Sequence, residues 1–157
     1  MTFLGAKSYF HLAPIFSKDS KETITAIEKL QIFINTYPES EYINEANELV
    51  FELDFRLEMK AYDTALQYNT LTDYQASIKA FDNFILDFPG SKLREKAMYY
   101  RFDSSYRLAI NSVSWRMQER IDKAIGYYNS FKNNYDSSEF IDEAEIKLSE
   151  LKELKTT

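Results

Sequence analysis

One phrase occurs three times in this chain. It reads Ala26-Ile27-x2-Leu30-x2-Phe33-Ile34-x2-Tyr37-Pro38-x-Ser40, then Ser77-Ile78-x2-Phe81-x2-Phe84-Ile85-x2-Phe88-Pro89-x-Ser91. The last copy is Ala124-Ile125-x2-Tyr128-x2-Phe131-x3-Tyr135-Asp136-x-Ser138, with Asp in place of Pro. Six positions beyond each serine stands an alanine: Ala46, Ala97 and Ala144. The serines, at 40, 91 and 138, are 51 and 47 residues apart. Apolar residues recurring at three and four mark one face of a helix. Self-similarity at this period marks stacked helical repeats, each of which buries its apolar face only against its neighbours. The expectation is an all-α helical-repeat solenoid forming a single superhelical domain over 1–157, with repeat phrases near 23–46, 74–97 and 121–144.

Between the first two copies, Glu39–Asn69 contains neither Pro nor Gly. Nothing local stops a helix there, and at 1.5 Å per residue it reaches about 45 Å. Its first half carries Tyr42, Ile43, Ala46, Leu49, Val50, Leu53 and Leu57 on one face, with Glu41, Glu45, Glu48 and Glu52 in an acidic row opposite. Its second half adds another stripe of Phe51, Phe55, Met59, Tyr62 and Leu66. One dry face early and two later suit a helix that closes one repeat and opens the next. Pro38 ends the preceding helix, Thr23–Tyr37, and Ser40 is placed to cap the long one. Further helices are expected over Phe3–Leu12, Lys92–Ile110 and Glu119–Tyr135, with a polar capping helix over 139–154. With the helix that follows the Asp73-Tyr74 turn, the count is about seven. Phe16–Ser20 reads as a connection and Asn111–Ser114 as a break.

The helix ahead of each phrase gives the repeat its type. The tetratricopeptide pattern is W-x2-L-G-x2-Y on a first helix, then A-x3-F on a second. Tyr99-x2-Phe102-Asp103-x2-Tyr106 fits the first part, with Asp103 where glycine is usual. Ala61-x2-Thr64-Ala65-x2-Tyr68 fits more loosely. Ser77-x3-Phe81 and Ala124-x3-Tyr128 fit the second part.

Composition excludes several functions. With no Cys and one His, most nucleophile–base pairs and common transition-metal sites have no residues to build them. Gly5, Gly90 and Gly126 stand apart, so there is no phosphate-binding loop. No catalytic residue, cofactor or metal is assigned. A net charge of −6 argues against nucleic acid and anionic membranes, and no apolar run approaches the ~18 residues of a membrane span; the chain reads as soluble. His11 has a packing or surface role, and the Glu41–Glu52 row is a solvated face or a dock for a basic partner.

One stretch runs against this charge. Lys92, Arg94, Lys96, Arg101, Arg107, Arg116, Arg120 and Lys123 face only Glu95, Asp103, Glu119 and Asp122, giving +4 in an acidic chain. Trp115, the only Trp, falls at the break inside it. Arg and Trp are common interface anchors, so Arg94, Arg101, Arg107, Trp115, Arg116 and Arg120 are the candidate partner-binding residues. The competing reading has Trp115 folding back as a plug on the last repeat.

Taken together, Ser8-Tyr9-Phe10-His11-Leu12-Ala13-Pro14, the Tyr37-Pro38-x-Ser40 and Phe88-Pro89-Gly90-Ser91 junctions and the Arg56-Leu57-Glu58-x-Lys60 helix resemble the BamD family. BamD is the lipoprotein subunit of the outer-membrane β-barrel assembly machinery. The resemblance covers essentially the whole chain and corresponds to the later part of that family's five-repeat array. Family members begin with a signal peptide, a lipid-modified Cys and further repeats, so a fragment or a wrongly started reading frame is expected here. The resemblance implies a non-catalytic scaffold on the periplasmic face of the outer membrane. It also implies contact with the periplasmic domain of the barrel-forming subunit and with unfolded outer-membrane proteins, and membrane attachment only through a lipid anchor absent from this chain. Two alternatives stay open: another periplasmic tetratricopeptide adaptor serving envelope division or transport, and a regulatory domain detached from an enzyme.

Overall fold

The computed structural model describes residues 2–13 and 20–156, and within them the chain is all-α. Seven helices follow in order: α1 (Phe3–Leu12), α2 (Lys21–Thr36), α3 (Ile43–Thr70), α4 (Tyr74–Asp87), α5 (Arg94–Ile110), α6 (Ser114–Asn134) and α7 (Ile141–Thr156). This is the tetratricopeptide-like helical-repeat architecture expected from the periodicity. Pro14 and all but the last residue of the expected Phe16–Ser20 connection lie outside the described residues. Two compact units make up the chain, residues 1–60 and 61–157; α3 begins in the first and ends in the second.

In the first unit Ala26, Leu30 and Phe33 of α2 meet Phe3 and Ala6 of α1 and Ala46 and Leu53 of α3, all buried. Arg56 on α3 reaches back to the Ala13 carbonyl at 3.2 Å, and its guanidinium lies 4.8 Å from the Phe10 ring centroid. The second unit has the larger core, centred on Phe81, Phe84, Phe102 and Phe131. Tyr62 stands edge-on to both Phe81 and Phe84 at 5.8 and 5.9 Å, and burial pushes its phenol up to about 12. The matched phrase positions are equivalent in three dimensions: Leu30, Phe81 and Tyr128 are buried, as are Phe33, Phe84 and Phe131.

The junctions between helices repeat bond for bond. At the end of each second helix, Tyr37, Phe88 and Tyr135 leave the helical region with ψ of 61°, 63° and 62°. Their N–H groups donate to Phe33, Phe84 and Phe131 at 3.0, 2.9 and 2.9 Å, and each pair also touches ring to ring at 5.5, 5.2 and 6.2 Å. The N–H of Ser40, Ser91 or Ser138 donates back to that aromatic residue's carbonyl at 3.1, 3.1 or 3.3 Å. Each serine hydroxyl then accepts the N–H two residues on, from Tyr42, Leu93 or Phe140, at 3.2, 3.1 or 3.2 Å. The serines therefore close a tight turn ahead of the helix, and α3, α5 and α7 start three residues beyond them. The Ser40 hydroxyl thus accepts a backbone N–H as expected, but ahead of the helix; the long helix begins at Ile43 and not directly after Ser40, and the expected starts at Lys92 and Glu139 move to Arg94 and Ile141. The alanines six residues on, Ala46, Ala97 and Ala144, are each fully buried, the first in the core of one unit and the other two in the core of the second.

α3 runs unbroken through its middle, as the absence of Pro and Gly allows. It ends in a Schellman motif: Asp73 N–H donates to the Tyr68 carbonyl and Thr72 N–H to the Asn69 carbonyl, both at 3.0 Å. Thr72 takes the left-handed position with φ 63°, where glycine is the usual residue. Asp73 then caps α4, its carboxylate accepting the Ala76 N–H at 3.1 Å.

Candidate interaction site

The α5–α6 turn lies in the middle of the basic segment and carries its tryptophan. α5 ends at Ile110; Ser112 bonds back to the Leu108 carbonyl at 2.5 Å, and Val113 with ψ 147° turns the chain into α6. α6 therefore starts at Ser114, earlier than the expected Glu119, and Trp115 sits in its first turn instead of in a break. Ile121, Ala124 and Tyr128 form the buried face of α6. At about 100° per residue Trp115 points some 180° from Ala124, and it is 77% exposed. The plug reading is thereby overturned. The Arg116 guanidinium stacks 4.6 Å from the Trp115 ring, a contact worth about 0.5–1 kcal/mol at an exposed site. Ile110 and Val113 are exposed at the same turn. Arg120, one turn beyond Arg116, donates to the Ser112 hydroxyl at 2.7 Å and braces the turn.

The other candidates are held by neighbours. Arg101 is buried, paired with Asp82 at 2.8 Å, and lies over the Tyr127 ring at 4.4 Å; it clamps α4, α5 and α6 together. Arg107 pairs with Asp103 at 2.8 Å. Arg94 is half-buried with a guanidinium nitrogen 3.2 Å from the Met98 sulfur. The structure brings Trp115, Arg116 and Arg120 together at the start of α6 and turns Arg101 inward. Asp82 and Asp103 engage Arg101 and Arg107, whereas Arg116 on α6 stays exposed. Glu119 lies among the cations of α6: its hydrogen bond and charge contact with Lys123, with Arg116 and Arg120 adding, hold its carboxyl below the usual range.

A second polar cluster is buried in the same unit. Asp103, on the small position of the repeat pattern, accepts Lys147 at 2.6 Å, Arg107 at 2.8 Å and Asn69 at 3.0 Å. Lys147 also donates to the Tyr99 hydroxyl at 2.8 Å and to Glu143 at 2.7 Å. Asn69 continues to Ser104 at 2.8 Å, and Ser104 to Ser77 at 2.9 Å. Burial works against the Lys147 ammonium, but its bonds to Asp103, Glu143 and Tyr99 outweigh it and raise its pKa. Every member of this cluster has a partner, and the cluster ties α3, α4, α5 and α7 together. Its chemistry is structural. Among the described residues no cluster of His, Asp and Glu could hold a metal ion.

The chain matches the model of the YfiO family, described as outer membrane lipoprotein, in two overlapping segments, residues 1–79 and 56–155. It belongs to that family. The YfiO match supports an envelope location, and among the described residues no helix is long and apolar enough to cross a membrane. Its two segments share 56–79, the end of α3 and the start of α4, as a repeated sequence allows. No curated protein matches the chain. Within this YfiO-family chain, sequence reasoning missed the Lys147–Asp103 bond, which joins residues 44 apart. The available signal was a carboxylate on a position that wants a small side chain.

Proposed function

We propose that this chain is a non-catalytic scaffold of the BamD type, working on the periplasmic face of the outer membrane within the β-barrel assembly machinery. In this reading the start of α6 docks an acidic surface on the periplasmic domain of the barrel-forming subunit. The observation that carries it is Trp115, 77% exposed and covered on one face only by Arg116, in an acidic chain. Trp and Arg are enriched in binding hot spots, and here the two stand stacked together in the open. The family match and the repeat architecture support the same assignment. Arg116 steers an acidic partner and makes association salt-sensitive, while Trp115 seats in a pocket and slows release.

The test is capture of the barrel-forming subunit's periplasmic domain by the full chain. Arg116→Glu, alone and with Arg120→Glu, is expected to weaken capture and flatten its salt dependence, with the circular dichroism unchanged. Trp115→Ala is expected to raise the dissociation rate more than it lowers the association rate. Undiminished capture by the double reversal would remove this surface from the interface.

A further inference from the structure

The outward face of α3 carries a feature that the docking site on α6 does not use. Phe51 is 71% exposed and Phe55 42%, in the middle of a helix of 28 residues. One turn apart, they form a single aromatic ridge. On the same helix, in the second unit, Tyr62 continues that stripe seven residues beyond Phe55 and is only 7% exposed. There α4 covers it with Phe81 and Phe84. This stripe thus already shows what it takes when covered: the apolar face of another helix.

Charge narrows the occupant. At about 100° per residue, Asp54 and Glu58 border the ridge on one side, with Glu48 and Glu52 on the other. Arg56 binds Glu52 at 2.5 Å, whereas Glu48, Asp54 and Glu58 have no ion pair among the described residues. Desolvation, then the charge of Glu58, raises the Asp54 carboxyl, so an arriving cation finds carboxylates short of counter-charge. Anionic lipid and nucleic acid are repelled by the same border. We propose that Phe51 and Phe55 dock a partner's amphipathic helix whose apolar ridge is flanked on both sides by lysine or arginine. The mode is helix on groove, read at spacings of three and four.

The experiment uses the full chain and a fluorescein-labelled 18-residue synthetic helix with a leucine ridge flanked by lysines. A twin peptide carries glutamates in their place. The lysine peptide is expected to bind, and Phe51→Ser/Phe55→Ser to weaken it about tenfold or more. Glu48→Gln/Asp54→Asn/Glu58→Gln is expected to remove most of the salt dependence. Leu86→Ser, another exposed apolar position at 77%, is expected to change nothing. If the double serine variant loses helicity, Phe51→Ser alone carries the test, since that side chain is the more exposed. Equal binding by the wild type and the serine variant, or equal capture of the glutamate peptide, would overturn the proposal. A concentration-dependent dimer in sedimentation that the serine substitutions abolish would also overturn it, and would assign the ridge to a second copy of this chain.

Discussion

The first and third repeats hold the same arrangement of groups but take one of them from different places. In the first, Phe3 stacks on Tyr42 at 4.8 Å and leans on Phe33 at 5.4 Å. In the third, Tyr99 stacks on Phe140 at 4.6 Å and leans on Phe131 at 5.9 Å. Each ring carries an ammonium bonded to the carboxylate five residues past the junction serine. Lys7 lies 5.7 Å from the Phe3 centroid and 2.5 Å from Glu45; Lys147 lies 5.1 Å from the Tyr99 centroid and 2.7 Å from Glu143. Lys7 comes from the position that aligns with Asp103, and Lys147 from the one that aligns with Leu49. The charge has moved to the other helix, and Asp103 has filled the place it left. Exposure then separates the two: Lys7 and Glu45 are 33% and 42% exposed, whereas Lys147 and Asp103 are 12% and 3%. The same geometry is a surface pair in one repeat and a core element in the other.

The largest consequence should follow from Asp103→Ala. Removing one member of a buried, hydrogen-bonded charge set leaves the others desolvated and unpaired, which costs about 3–5 kcal/mol. Urea denaturation followed by Trp115 fluorescence and by helicity reads it; a loss under about 1 kcal/mol would place Asp103 with ordinary surface pairs.

Titration addresses the same cluster. Glu143 is held below its ordinary value by its hydrogen bond to Lys147, so its stabilisation is present above about pH 4.3 and fades as pH falls through the lower folded value. Lys147 is raised, so its share is complete below about pH 10.4 and fades as pH rises through the higher folded value. Tyr62 and Tyr106, pushed up to about 12 chiefly by burial, also lose their contribution as pH rises. The urea midpoint should therefore show a plateau with an acid and an alkaline fall. Lys147→Met should shorten the alkaline fall without abolishing it; an unchanged profile would break the assignment.

Smaller effects test the equivalence itself. Asp136 occupies the place of Pro38 and Pro89, and Tyr135 before it has φ −145° and ψ 62°, close to the −130° and 61° of Tyr37. Asp136→Pro should fit without strain and stabilise by about 0.4–1 kcal/mol through the unfolded state. A destabilised variant would show that the third junction differs from the first. Lys7→Ala should cost least, about 0.2–1 kcal/mol, as exposed pairs do. A loss as large as that of Asp103→Ala would erase the contrast between the repeats.

Much of this was legible in the sequence. The phrase around Phe33, Phe84 and Phe131 located the second helices and the buried alanines, because spacing at three and four reports a dry face directly. The continuity of α3 followed from the lack of a breaker. The helix starts were misread because a serine hydroxyl can close a turn as readily as cap a helix, and the residues alone do not separate the two. α1 was not recognised as a repeat's first helix, since Phe3-x2-Ala6-Lys7-x2-Phe10 puts lysine where a small residue is usual. At the candidate site the charge excess of 92–123 was visible, but which arginines it frees was not. Asp82, which engages Arg101 from 19 residues away, lies outside that segment.

The bonding at the three junctions bears on how such a chain changes length. The bonds described at each junction run within a few residues, from the end of one helix to the first turn of the next. Each junction behaves as a finished joint: another helix pair ending in the same aromatic–x2–serine phrase can be spliced in after Ser91 and find its bonds already specified. The third joint does this without proline, so even that residue is an optional fitting. A unit added or removed at such a joint keeps the same short-range bonds on either side of the cut.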